Sequence, residues 1–334
     1  MIDPKIQKRV LERFEQRRRM REDELTRRTR EVQEGIPELS ELETELKTTV
    51  LQVARAAFES GGDPKPRIDA VKNRHVELVA ERSELLKKNG YPADYLNLPP
   101  SCKKCSDYGF IGSAPCTCFL QECVREQTRE LSSVLDIKGQ NFDSFLSEYY
   151  SDNPGDGEGG VSPRENMEIF KDIFSGYARN FGRHSMNMLF YGGPGLGKTF
   201  MSSCIAKEVA LKGFSVVYDT AVNIFTNLER EKFGENDDEL RIQIKRYMAC
   251  DLLIIDDLGT ELTTSFTLSA LYHLMNTRLL ERRQMIISTN LGPKEIAARY
   301  TPQIASRMNY EFDRFHFFGR DVRQVIKENR TLGY

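Results

Sequence analysis

The sequence predicts an α/β fold in which a parallel sheet, covered by helices on both faces, follows a helical N-terminal region. From Glu165 onward, short apolar stretches alternate with helical ones, which is typical of a parallel sheet. A glycine-rich loop stands between one of these strands and the next helix. Before residue 96, by contrast, apolar residues recur at spacings of three and four, which indicates amphipathic helices.

The composition bounds the class of protein. The chain has 334 residues, 39% hydrophobic and 29% charged, which suits one sizeable globular domain and a smaller one. The net charge of −2 excludes a basic field over the whole molecule, so any nucleic-acid contact needs a local patch. No signal peptide follows Met1, and no apolar run approaches the ~20 residues that cross a bilayer. We expect a cytoplasmic protein without membrane contact, whose seven cysteines are metal ligands or reduced core residues.

Residues 1–96 are predicted to form a helical hairpin or coiled-coil region. The first helix reaches about Glu34 and is broken at Ile36-Pro37. The second ends at Gly61-Gly62, and the third runs from about Ile68 to Lys88, with Asn89-Gly90 as its C-terminal cap. We interpret these helices as an antiparallel pair that also offers a surface to a partner.

Two further regions follow. Residues 97–135 form a cysteine-rich segment with a connecting helix, and residues 136–334 form the α/β domain, in which 151–163 is a flexible loop because of its Gly, Pro and Asp content. The predicted strands are Met188–Tyr191, Phe214–Asp219, Leu252–Asp256, Met285–Ser288 and Phe312–Phe317.

The glycine-rich loop fits the pattern G-x-x-x-x-G-K-[ST] in the strand–loop–helix context that a phosphate site needs. Its backbone N–H groups and the following helix N-terminus would face phosphate oxygens. Lys198 would reach the terminal phosphates of ATP, and the Thr199 hydroxyl would bind Mg²⁺. The predicted ATP-binding residues are Gly192, Gly193, Pro194, Gly195, Leu196, Gly197, Lys198, Thr199 and Phe200.

A buried strand, Leu252–Ile255, ends in two carboxylates. Asp256 would hold Mg²⁺, and Asp257 would orient or deprotonate the attacking water, because ligands bind at the carboxyl ends of parallel strands. Asp257 could instead cap a helix, and Glu261 is an alternative base. A third apolar strand ends at Asn290, which could make an ordinary turn.

The motifs GGPGLGKT, LLIIDD, ISTN, IASRM and GRDVR occur in this order and resemble the DnaC/DnaI-type helicase loaders and their IstB relatives, a branch of the AAA+ ATPases. The resemblance spans about Phe142 to Tyr334. It implies that Asn290 is sensor 1, that Arg307 is an arginine finger and that Arg323 is sensor 2. Arg299, Arg314 and Arg320 compete for the arginine roles. Because only a short tail follows Arg323, we expect no separate helical lid.

The cysteine-rich segment resembles a cluster of clostridial and phage DnaC-like replication proteins, through Cys102-Lys-Lys-Cys105, Asp107-Tyr-Gly-Phe110 and Cys116-Thr-Cys118. Four thiolates in so short a span can close a tetrahedral Zn²⁺ site. An iron–sulfur cluster and reduced, unliganded thiols are the alternatives. Cys123, Cys204 and Cys250 are expected to pack in the core.

The resemblance implies an ATPase that loads a replicative DNA helicase onto single-stranded DNA and that self-associates. The alternatives are an IstB-like transposition helper and a nucleotide-gated adaptor with negligible turnover, which the Asp at position 257 keeps open. Lys232, Lys245 and Arg246 are candidate DNA contacts, although solvated helix faces explain them equally well.

Overall fold

The structure, a computed structural model, describes residues 3–58, 65–134, 140–182, 184–234 and 237–331. The chain divides into two compact units: Leu11–Cys118, and Met1–Val10 together with Phe119–Tyr334. No described helix is long and apolar enough to cross a membrane. The domain boundaries that we expect at residues 96/97 and 135/136 remain predictions.

Three long helices account for most of the smaller unit: α1 (Pro4–Gly35), which belongs to this unit from Leu11 onward, α2 (Pro37–Phe58) and α3 (Lys65–Lys88). The break before Pro37 is the predicted one, because proline has no N–H to continue α1 but suits the first turn of α2. Helices α2 and α3 pack together as an antiparallel pair, since Glu43 pairs with Arg82 and Glu45 with Arg74. The predicted end of the second helix at Gly61-Gly62 lies outside the described residues.

The end of α3 shows the expected cap. Gly90 has φ +84°, and its N–H donates to the Lys87 carbonyl over 3.0 Å while the Tyr91 N–H donates to the Leu86 carbonyl over 2.9 Å. These two bonds satisfy carbonyls that the helix itself leaves without donors. A short antiparallel hairpin follows, formed by β1 (Phe110–Ile111) and β2 (Ala114–Pro115).

The larger unit contains a five-stranded parallel sheet, as predicted. Its strands lie in the order β4-β5-β6-β3-β7, and all pair in parallel. The strands are β3 (Asn187–Gly192), β4 (Val216–Thr220), β5 (Leu252–Leu258), β6 (Gln284–Thr289) and β7 (Phe312–Phe317). The helices are α4 (Thr117–Val134), α5 (Pro163–Arg179), α6 (Lys198–Leu211), α7 (Ala221–Lys232), α8 (Asp238–Ala249), α9 (Ser265–Leu280), α10 (Pro293–Arg299), α11 (Pro302–Tyr310) and α12 (Val322–Thr331).

The sheet has a hydrophobic core on each face, which explains why its central strands are apolar without interruption. On β5, Leu252 and Ile254 belong to one core, with residues of α5 and α6. Leu253 and Ile255 belong to the other, with residues of α7, α8 and α9. Since successive side chains of a strand point to opposite faces, the predicted α/β class with helices on both faces is confirmed. The carboxyl ends of the strands remain as the open edge.

Candidate functional site

The carboxyl ends of β3, β5 and β6 meet at one edge of the sheet, where a cavity of about 510 Å³ opens. Its lining includes most of the predicted phosphate-binding loop together with Asp257, Asn290 and Arg323. This edge is where ligands of open parallel sheets bind. The motifs that we expect to act together are therefore neighbours in space.

The loop between β3 and α6 has the backbone that its glycines permit. Gly195 has φ +72°, and a Cβ added there would lie 1.9 Å from Asp321 Oδ1. The Val322 N–H also donates to the Gly195 carbonyl over 3.0 Å. The positive φ at position 195, together with this close approach to the segment after β7, favours glycine there.

Lys198 is the central cation of the cavity and is only 5% exposed. Its Nζ donates to the carbonyls of Gly192 and Gly193 over 2.7 and 2.6 Å, and to Asn290 Oδ1 over 2.8 Å. Burial lowers the pKa of Lys198 to about 8, although the neighbouring carboxylates oppose the shift. A lysine at a helix N-terminus, surrounded by neutral oxygens, makes an anion site.

Asp256 and Thr199 form an oxygen-rich pair beside this lysine. Thr199 Oγ1 lies 3.2 Å from Asp256 Oδ2, and the carboxylate is buried. It also accepts hydrogen bonds from the hydroxyls of Tyr218 and Ser288. Carboxylate and hydroxyl oxygens are ligands that suit Mg²⁺, so the donor set present here fits that ion.

Asp257 reaches the cavity because β5 is irregular at this point. Side chains alternate along a regular strand, but the register of β5 against β6 shifts between Ile255 and Leu258, and Asp257 has φ +54°. Such bulges re-aim side chains beside functional sites. Burial, and then the charge of Asp256, raises the pKa of the Asp257 carboxyl. The N-cap of the next helix is Thr264, so Asp257 does not have that structural role.

Glu261, the alternative base, has other partners. Its carboxylate accepts a hydrogen bond from the Gly259 N–H over 2.7 Å and from the Tyr300 hydroxyl over 2.5 Å. It is not among the described residues that line the cavity. Through these hydrogen bonds, Glu261 stabilises the segment after β5.

Most side chains of one part of the cavity wall lie outside the sequence motifs. It is apolar and aromatic, and it comes partly from the stretch SFLSEYY before α5 and partly from α12. A flat apolar surface of this kind suits a nucleotide base. Its side chains include Phe145, Leu146, Tyr149, Phe200, Val322 and Ile326.

Comparison with known proteins agrees with this geometry. Residues 171–306 match the family of IstB-like ATP binding proteins. This IstB-like region covers less than half of the chain. A replicative helicase loader DnaC from Buchnera aphidicola is 24% identical over 132 residues, which cover 40% of this chain and 54% of that protein. The resemblance to loaders of this type and to their IstB relatives is thereby confirmed.

Two further similarities extend beyond the IstB-like region. A chromosomal replication initiator protein DnaA from Borrelia turicatae is 32% identical over 160 residues, 46% of this chain and 32% of that protein. A solved DnaC helicase loader shares 16% identity at a TM-score of 0.45, over 55% of this chain and 98% of that one. The chain thus spans about half or less of the length of these two curated relatives.

The two predicted arginines lie in different surroundings. Arg323, outside the IstB-like region, lines the cavity near the start of α12. Arg307, on α11, is not among the described lining residues; its guanidinium lies over the Tyr272 ring, 5.1 Å from the centroid. Among the competitors, Arg320 pairs with Glu328. The structure therefore brings only Arg323 to the cavity of its own chain.

The four predicted cysteine ligands of the smaller unit converge. The Sγ atoms of Cys102, Cys105, Cys116 and Cys118 all lie within 4.8 Å of one another. Cys102 and Cys116 are separated by 3.9 Å, and Cys105 and Cys118 by 3.4 Å. Four sulfurs about 2.3 Å from a tetrahedral ion stand roughly 3.8 Å apart, so the cluster could hold such an ion.

Asp107 orders the first half of this cluster, a role that the motif alone did not reveal. Its buried carboxylate accepts hydrogen bonds from the N–H groups of Ser101 and Cys102 over 2.9 and 2.8 Å. Arg21 of α1 donates to it over 3.0 Å. Backbone N–H groups, with that of Cys105 first, lower the pKa of the Cys102 thiol to about 7. A thiol with a lowered pKa is a better metal ligand.

One candidate DNA contact was wrong. Arg246 is 7% exposed, and its guanidinium donates to Asp3 Oδ2 over 2.5 Å and to Glu130 Oε1 over 2.7 Å. A buried arginine between two carboxylates is a structural ion pair. Lys232 and Lys245 are exposed. The remaining cysteines, Cys123, Cys204 and Cys250, are buried, as expected of packing residues.

Proposed function

We propose that this chain is an ATP-dependent helicase loader, which binds and hydrolyses ATP to deliver a replicative hexameric helicase onto single-stranded DNA. The convergence of Lys198, Thr199, Asp256 and Asn290 at the open edge of the sheet carries the proposal. The similarity to proteins named as helicase loaders supports it. A location in the cytoplasm would agree with this function.

The loop Gly192–Phe200 would hold the phosphates of ATP through its backbone N–H groups and through Lys198. Thr199 and Asp256 would hold Mg²⁺, which when bound neutralises charge on the phosphate oxygens. The apolar wall around Phe145 and Tyr149 would receive the base. When ATP binds, the Lys198 ammonium would donate to phosphate oxygens in place of its present carbonyl and amide acceptors.

Hydrolysis would need three further groups. Asp257 would orient or deprotonate the attacking water, since it lines the cavity with a raised pKa. Asn290 would position that water, and Arg323 would contact the terminal phosphate from α12. Arg307 would act on the nucleotide of a neighbouring subunit, because a guanidinium supplied in trans stabilises charge on the transferred phosphoryl group. The ATPase would therefore depend on self-association.

Single-stranded DNA would contact the end of α7. Phe233 is 75% exposed, and its ring centroid lies 6.5 Å from that of Phe266. The Lys232 ammonium lies over the Phe266 ring, 4.7 Å from its centroid. An exposed aromatic ring beside a half-buried one and a cation suits stacked bases and a phosphate backbone.

The smaller unit would bind the helicase. Helices α1, α2 and α3 offer long charged surfaces, and the cysteine cluster would bind one Zn²⁺ and hold a segment too small for its own core. Zinc is favoured over an iron–sulfur cluster because the four Sγ atoms lie within 4.8 Å, the spacing of a single ion. This unit would distinguish a loader from an IstB-like transposition helper, the second candidate.

The test is helicase loading itself. We expect the purified chain to retain the replicative helicase of the same organism in a pull-down, and to transfer it to circular single-stranded DNA only with ATP. Phe233→Ala should weaken the DNA step and leave helicase retention unchanged. Retention of transposase instead of helicase would favour the IstB-like role. Helicase retention without detectable ATP turnover, with or without DNA, would favour the nucleotide-gated adaptor.

A further inference from the structure

Asp256 is held from both strands that flank β5. On β4, the Tyr218 hydroxyl donates to Asp256 Oδ2 over 2.7 Å. On β6, Ser288 Oγ donates to Asp256 Oδ1 in a short hydrogen bond. Tyr218 is 5% exposed and Ser288 is fully buried, and neither is among the described residues that line the cavity. Ser288 Oγ also accepts a hydrogen bond from the Asp257 N–H over 3.0 Å, and the Tyr218 hydroxyl lies 3.2 Å from Ser202 Oγ. These hydroxyls therefore act on the carboxylate and its surroundings and not on the nucleotide.

Two neutral donors fix the orientation of the Asp256 carboxylate without cancelling its charge. A carboxylate offers about four lone-pair positions, and Tyr218 and Ser288 occupy one on each oxygen. The hydroxyl of Thr199 approaches the same oxygen as Tyr218, at 3.2 Å. A lysine or arginine in place of either donor would compete with a metal cation for the negative charge of Asp256. A neutral hydroxyl leaves that full charge available to the metal.

We propose that Tyr218 and Ser288 are positioning residues for magnesium: their hydroxyls hold the Asp256 carboxylate in the orientation that receives Mg²⁺ bound with ATP. This inference rests on the proposed ATP site. Partners of metal-binding side chains typically change metal affinity by about 10- to 100-fold when they are removed. Loss of either hydroxyl should therefore weaken the response to Mg²⁺ and leave metal-free nucleotide binding intact.

The test compares Tyr218→Phe and Ser288→Ala with a matched control, Tyr177→Phe. Tyr177 is also buried, but its hydroxyl donates to the Met186 carbonyl over 3.2 Å, away from the cavity. A fluorescent, non-hydrolysable ATP analogue is titrated in EDTA and then at rising Mg²⁺. We expect about a 10-fold higher half-saturating Mg²⁺ concentration in the two test variants, with affinity in EDTA unchanged. The control should match the wild type throughout.

Three results would overturn the inference. An unchanged Mg²⁺ requirement in both variants, while Lys198→Ala still loses nucleotide, would reject the positioning role and leave the ATP site standing. An equal loss of affinity in EDTA and in Mg²⁺ would assign the hydroxyls to general structure. A wild-type chain that binds no nucleotide under either condition would remove the proposed ATP site, and this inference with it.

Discussion

Lys198 Nζ lies 2.8 Å from Asn290 Oδ1, so one hydrogen bond joins the start of α6 to the end of β6. The two residues are 92 positions apart in the chain. A lysine and an amide that are this close would both lie beside the terminal phosphate of a nucleotide in the cavity. This pair therefore offers the most direct test of the site.

Lys198→Ala should abolish tight ATP binding. The ammonium makes charge-assisted hydrogen bonds worth about 1.5–3 kcal/mol each, so losing its phosphate contacts should weaken affinity by roughly 100-fold or more. Fluorescent-nucleotide titration measures this loss. Lys212→Ala, which removes an exposed lysine just after the same helix, is the control and should bind normally. Unchanged affinity in Lys198→Ala would show that the nucleotide binds elsewhere.

ATP affinity should depend on pH near 8. Burial lowers the pKa of Lys198 to about 8, and only the protonated ammonium attracts phosphate. Affinity should therefore be constant below about pH 7 and decline as the pH rises through 8. Titrations from pH 6.5 to 9.5 measure this decline, and Lys198→Arg should remove it because a guanidinium stays charged. A flat profile in the wild type would contradict the assignment of Lys198 as the titrating group.

Arg307 should act between subunits. Arginine fingers are worth roughly 10³–10⁵ in rate, so Arg307→Ala should lose most ATPase activity and keep ATP affinity. Arg179→Ala, which removes an exposed arginine at the end of α5, is the control. The decisive measurement mixes Arg307→Ala with Asp257→Asn, each nearly inactive alone. Recovered ATPase activity would support action in trans, and its absence in proteins shown to co-assemble would count against it.

The cysteine cluster should bind one Zn²⁺ per chain. Cys118→Ser removes one of the four sulfurs, so elemental analysis should find the metal lost while nucleotide binding persists. Cys123→Ser, at a buried cysteine outside the cluster, should retain the zinc. Iron with visible absorbance, or wild-type protein without zinc after growth in zinc-supplemented medium, would contradict the assignment.

Arg246 should contribute to stability and not to DNA binding. Arg246→Ala leaves Asp3 and Glu130 without their buried cation, which should lower the free energy of unfolding by about 3 kcal/mol. Urea denaturation measures this loss. Arg241→Ala, at an exposed position of the same helix, should change stability by less than about 0.5 kcal/mol. Normal stability together with weakened DNA binding would restore the surface interpretation of Arg246.

The sequence alone determined the features that depend on neighbours along the chain. All five strands of the sheet were predicted to within two residues of their ends, four of them because an apolar run buried on both faces is a local pattern. The glycine-rich loop could be predicted for a similar reason, because its glycines, lysine and threonine lie close together along the chain. The cysteine cluster was readable because two close pairs lie within a short span.

Tertiary structure alone decided which side chains of different strands meet. Tyr218 and Ser288 contact Asp256 because β4 and β6 flank β5 in the sheet. The spacing of residues along the chain does not predict this strand order. Arg246 has the pattern of a surface residue, yet Asp3 lies 243 positions away and makes it a buried ion pair. A local pattern records how a residue relates to its helix or strand, whereas burial and partners depend on packing among elements far apart in the chain.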